Sequence, residues 1–158
     1  MFRKPLTLTL AVLGSTALPA LAPAVSGASG APSARAAAGG AKVQVRHTRR
    51  GDLLVNGHGF TLYTFARDAR NRDRCVQISG CRGIWPLDTT HGRPVAGRGV
   101  KGSLLGTIRV GRTTQVTYAG HPLYTYVADT NPGQTSYVGV SQFGGKWFGL
   151  RASGRQIG

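Results

Sequence analysis

The chain contains no glutamate at all, and its only acids are five aspartates, Asp52, Asp68, Asp73, Asp88 and Asp129, against 20 lysines and arginines in 158 residues. Lysine is also scarce, at four of those 20. Glu and Lys are the usual occupants of exposed helix faces, so their shortage argues against long surface helices. No stretch shows helical periodicity. Apolar runs are short: the longest candidate, Leu6 to Leu13, falls far below the ~20 residues that cross a bilayer. Two cysteines exclude a disulfide-dense scaffold, and no His-x3-His, Gly-x-Ser-x-Gly or phosphate-loop pattern is present. The common hydrolase and nucleotide-binding signatures are therefore missing.

What is present begins with a basic Met1-Phe2-Arg3-Lys4, an apolar Leu6 to Leu13 and small residues from Gly14 onward, the layout of a secretory signal. Small-x-small cleavage sites occur at Ala20-Leu21-Ala22 and at Ala34-Arg35-Ala36, and both fit. Residues 1–36 read as signal and processed region, and residues 37–50 as a flexible basic tether in which apolar alternation starts at Val43. Residues 51–158 read as a single β domain. Removing residues 1–36 takes away Arg3, Lys4 and Arg35, which leaves 17 basic groups against five acids, a net +12. In an exported chain, Cys75 and Cys81 read as a short local disulfide. A redox pair is a weaker alternative, as is a metal site completed by His91.

The strongest internal signal is a repeat. Gly59-Phe-Thr-Leu-Tyr63-Thr-Phe65-Ala-Arg-Asp68 recurs as Gly120-His-Pro-Leu-Tyr124-Thr-Tyr126-Val-Ala-Asp129, with Val55 and Val116 at the same spacing. A fixed offset of this kind marks a duplicated unit. Asn56-Gly57 predicts a tight hairpin turn between Asp52–Val55 and a return strand Phe60–Ala66. Ala119-Gly120 predicts the equivalent turn in the second copy, and Leu104–Val110 predicts a further strand. Each copy ends in a tryptophan segment, Ile84-Trp85-Pro86-Leu87 and Lys146-Trp147-Phe148-Gly149-Leu150. The expected fold is all-β: a small antiparallel domain of two pseudo-symmetric repeats, 52–87 and 113–150.

The pattern Tyr63-x4-Asp68 and Tyr124-x4-Asp129, followed by Cys75…Cys81 and Trp85-Pro86-Leu87, resembles a bacterial secreted-repeat family of unknown function defined by Tyr-x4-Asp. Its members are often labelled predicted lipoproteins. The resemblance spans about residues 50–150 and implies an exported, non-cytoplasmic β domain, with no established reaction or cofactor. The lipobox cysteine of many members is absent here.

On the residues alone, the strand-end aspartates read first as turn-closing acceptors. A second reading has Tyr63, Asp68, Tyr124 and Asp129 converging to bind a cation or polar ligand, with His121 as a metal or haem ligand. A third has the two carboxylates as an acid/base pair in an enzyme of unknown reaction. The arginines fall into two groups, Arg46, Arg49 and Arg50 near the tether, and Arg67, Arg70, Arg72, Arg74 and Arg82 around the cysteines. They predict affinity for polyanions such as acidic cell-envelope polymers or anionic lipid headgroups, without sequence-specific nucleic-acid recognition. No cofactor and no transmembrane segment are expected. The leading expectation is a non-catalytic exported module that binds or scaffolds at the cell envelope.

Overall fold

The structure, a computed structural model, describes residues 39–158; the signal and its cleavage sites lie outside the described residues. Ten short strands carry the fold: β1 (Lys42–Thr48), β2 (Gly51–Asn56), β3 (Tyr63–Phe65), β4 (Val95–Ala96), β5 (Leu105–Val110), β6 (Thr113–Tyr118), β7 (His121–Pro122), β8 (Ser141–Gln142), β9 (Gly145–Leu150) and β10 (Gln156–Ile157). One single-turn helix, α1 (Cys81–Ile84), follows the cysteine loop. The all-β expectation holds. Nearly all pairings are antiparallel, and β1 with β4 is parallel.

Two hairpins are the repeated unit. Each turns over two residues: β1 and β2 meet at Thr48↔Gly51 around Arg49-Arg50, and β5 and β6 meet at Val110↔Thr113 around Gly111-Arg112. The first of these places β1 inside the domain. Residues 42–48 are therefore not part of a flexible tether, because Val43 is fully buried, Val43–Thr48 pair with β2 and Lys42 pairs with Val95 of β4.

The Asn56-Gly57 turn also differs from expectation. The Asn56 side chain accepts the amides of His58 and Phe60 at 3.0 and 3.1 Å, holding a wider loop, and the positive φ falls on Gly59 instead of Gly57. In the second copy Ala119 and Gly120 both take positive φ, 51° and 82°, in the expected two-residue turn. The difference is one residue. Leu62 donates its amide to the Leu54 carbonyl and Leu123 donates its amide to Val116, so the span 54–62 is one residue longer than 116–123. Leu54, and not Val55, is the structural counterpart of Val116.

After the turn each copy leaves its own hairpin and crosses to the other. β3 pairs with β9, the tryptophan strand of the second repeat, and Thr125 and Val127 donate amides to Pro86 and Ile84 beside the tryptophan of the first. At the crossing, Tyr63 and Tyr124 exchange both backbone bonds, at 2.8 and 3.0 Å. This reciprocal pair marks the pseudo-twofold axis.

The core lies on that axis. Phe65, Trp147, Trp85 and Tyr126 form one continuous stack with centroid spacings of 4.3, 3.6 and 4.8 Å. Each tryptophan stacks on the motif aromatic of the opposite copy and meets the motif tyrosine of its own copy edge-on, at 5.2 Å for Trp85 on Tyr63 and 5.3 Å for Trp147 on Tyr124. Cys75 and Cys81 are disulfide-bonded and buried against this stack. A second cluster of Val43, Leu54, Leu62, Val116, Tyr118, Leu123 and Leu150 fills the space between the hairpins.

Candidate functional site

The structure assigns the repeated tyrosines and aspartates to each other. The Tyr63 hydroxyl donates to Asp129 Oδ2 at 2.6 Å, and the Tyr124 hydroxyl donates to Asp68 Oδ2 at 2.9 Å. Each bond joins the two copies. The other carboxylate oxygen accepts a backbone amide of the following loop: Arg74 N–H on Asp68 Oδ1 at 2.7 Å and Ser136 N–H on Asp129 Oδ1 at 3.4 Å. Both aspartate amides in turn bond three residues back, to Phe65 and Tyr126. Tyr-x4-Asp is thus the sequence trace of a swapped pair of locks. A tyrosine at the crossing reaches the partner carboxylate, and four intervening residues bring its own carboxylate back to the other tyrosine.

The electrostatics agree with this use. Burial, then the adjacent Asp129, holds the Tyr63 phenol protonated well above its usual range. Burial, then the Asp68 charge, does the same to Tyr124. Asp68 is itself pushed up to about 7, chiefly by burial, against the pull of its Arg74 and Tyr124 hydrogen bonds. His121 sits half-buried in β7 opposite Tyr118, and burial and then the Arg70 guanidinium lower its pKa, which keeps the ring neutral. Among the described residues no group of three or more His, Cys, Asp or Glu is placed to hold a metal ion.

Asp88 carries a signal that the sequence reading missed. Segment 87–89 threads between β6 and the crossing, with Asp88 N–H on the Leu123 carbonyl and the Asp88 carbonyl accepting from Val116. Asp88 is 9% exposed, its Oδ2 has no partner, and burial alone pushes its carboxyl up to about 7. A carboxyl whose folded value is raised stabilises most below its unfolded pKa and loses that contribution as pH rises towards the folded one. Stability should therefore fall between about pH 4 and 7, through Asp88 and, in the same direction, Asp68. Asp88→Asn should raise stability at pH 8 by at least about 1 kcal/mol, roughly 5 °C in melting temperature, and flatten much of the pH 5 to 8 slope. Thermal melts at the two pH values check this; a wild-type profile already flat there would contradict the assignment.

The arginines around the cysteines line more than one cleft. Arg67 and Arg74 line a shared cleft with Gln77 and Ile78, while Arg72 lies in a cleft with Arg109 and Arg82 in one with His91. Arg70 packs over Gly120 and donates to the Ala119 carbonyl at 3.2 Å. More telling is the position of the acids. Asp73, Asp88 and Asp129 are buried, Asp68 is half-buried in its lock, and Asp52 pairs with His47 at 2.9 Å. That His–Asp contact is the sole contact of salt-bridge length among the described residues, so none of their lysines or arginines is matched to a carboxylate. The fold draws its negative charge inward and leaves a cationic exterior.

Residues 109–150 match the family model of a secreted repeat of unknown function, which covers the second copy from the end of β5 through β9. No curated protein and no solved structure matches the chain. The family description and the bonded cysteines are consistent with an extracytoplasmic location.

Proposed function

We propose that the domain is a non-catalytic, cationic binding module that holds acidic polymers or anionic headgroups at the cell envelope. The observation that carries this reading is the internalised acid. With four of five aspartates committed to the interior or to the locks, 17 basic groups face five acids in residues 37–158, and the arginines have no carboxylate partners. Such a surface attracts polyanions without discriminating their sequence. The Tyr/Asp set supports a scaffold and not a carrier, because both oxygens of each carboxylate already accept protein donors.

The attraction is screened by salt. Affinity for polyphosphate or dextran sulfate should drop at least about tenfold between about 50 and 200 mM salt, with a linear double-logarithmic dependence. Fluorescence anisotropy with a labelled polymer measures it directly. Binding that ignores salt, or no binding at low salt, would overturn the proposal.

A further inference from the structure

The pseudo-symmetry supplies an internal control for where binding is concentrated. Each hairpin tip faces the loop that follows the motif aspartate of the opposite copy, so the domain has two equivalent clefts. One lies between the Arg49-Arg50 tip and Pro132–Ser136, with a volume of about 540 Å³. The other lies between the Arg109–Gly111 end of the second hairpin and Asn71–Val76, about 250 Å³. Because the hairpins pair in the same register, Arg49 corresponds to Gly111 and Arg50 to Arg112, while Arg46, opposite Leu53, corresponds to Ile108, opposite Gln115. The fold is thus satisfied by Gly and Ile where the first hairpin places two arginines. The second cleft is also lined by two arginines, Arg72 and Arg109, but with Asp73 beside them, whereas no acid lines the first.

The first cleft is also built to hold its arginines. The Thr48 hydroxyl donates to the Gly51 carbonyl and accepts the Arg50 amide, which fixes the tip. Arg46 lies flat between two glycines: a Cβ on Gly133 would come within 3.0 Å of its Nε, and one on Gly59 within 3.3 Å of its terminal nitrogen. The facing loop is anchored by the Thr61 hydroxyl on the Gln134 carbonyl and by Gly133 N–H on the Gly59 carbonyl at 2.9 Å. Neither Arg49 nor Arg50 uses its guanidinium in a hydrogen bond within the described residues, and Thr135 and Ser136 add hydroxyls to the wall.

We infer that this cleft is a specific subsite for a tetrahedral oxyanion, a phosphate or sulfate ester carried on a polymer or headgroup. Guanidinium forks match such oxygens in pairs, which a point charge does not. The inference rests on the cationic-module reading and deepens it by naming the site and the chemistry. Arg49→Gln/Arg50→Gln is compared with Arg109→Gln/Arg112→Gln, which removes the same charge from the equivalent tip. Polyphosphate and dextran sulfate are the probes, at one low salt concentration, with melting temperatures confirming that both variants fold.

The first variant should lose about tenfold or more in affinity and the second less than about threefold, and Arg49→Lys/Arg50→Lys should lose at least about threefold although its charge is unchanged. The preferred probe separates phosphate from sulfate as the recognised ester. Equal losses at the two tips would overturn the subsite while leaving the cationic module standing. An unchanged lysine variant would overturn the recognition by guanidinium forks. No binding by the wild-type protein would remove both.

Discussion

Trp85→Ala should cost about 3–5 kcal/mol, a large share of the stability of a domain of this size. Trp85 is fully buried, stacked on Trp147 at 3.6 Å and Tyr126 at 4.8 Å and edge-on to Tyr63 and Tyr137, and its indole N–H donates to Gln142 Oε1 at 3.0 Å. Alanine opens a cavity between the two copies that neither hairpin can fill, because each is held by its own backbone ladder. Trp147→Ala should cost somewhat less. Its ring is equally buried, but its indole nitrogen has no partner, so no hydrogen bond is lost. Urea denaturation followed by circular dichroism gives both values. A loss under about 1 kcal/mol for Trp85→Ala would mean that the stack is not the centre of the core.

The repeat was legible because the crossing demands the same residue types twice: an aromatic pair for the stack, a tyrosine for the lock, an aspartate to close the turn. What the sequence could not show is which copy each residue serves. Tyr63 lies five residues from Asp68 in the chain, yet its hydroxyl bonds Asp129, 66 residues away. Strand order carries no record of this exchange, since the local alternation of Phe60–Ala66 suits a simple hairpin equally well. The register error at Val55 has a similar origin. Two valines at one spacing outweighed a loop lengthened by the Asn56 side chain, whose hydrogen bonds only the fold reveals.

The candidate site was legible as charge and not as geometry. Arg46, Arg49 and Arg50 stood out as a basic cluster, but residues 37–50 read as a tether, whereas Val43, Val45 and Thr48 pin residues 42–48 into a strand. The cleft that Arg49 and Arg50 line needs the loop Pro132–Ser136, which is remote in sequence. Burial of the aspartates was hidden for the same reason: Asp73 stands between two arginines and Asp88 before two threonines in the chain, and only packing withdraws them from the surface. The match of a repeat model to 109–150 alone is consistent with this, because the unit recurs in sequence while its bonds are made between units.

The two locks look alike but should differ in energy, and the difference tests the swapped arrangement. Tyr63→Phe removes the donor from Asp129, which is 6% exposed and retains only a long 3.4 Å contact on its other oxygen. A buried carboxylate left without its partner costs about 2–3 kcal/mol. Tyr124→Phe removes the donor from Asp68, which is half-buried, keeps the Arg74 amide at 2.7 Å and can recruit water, so about 1 kcal/mol is expected. A double-mutant cycle sharpens the test. Tyr63→Phe combined with Asp129→Asn should show a coupling of about 1–2 kcal/mol, while Tyr63→Phe combined with Asp68→Asn should be close to additive. If the larger coupling appeared instead between Tyr63 and Asp68, each motif would be closing its own loop, and the exchange across the axis would be wrong. The swapped outcome means that neither repeat completes its motif without the other, so the duplication is a condition of folding and leaves the exposed tips and loops free to diverge for binding.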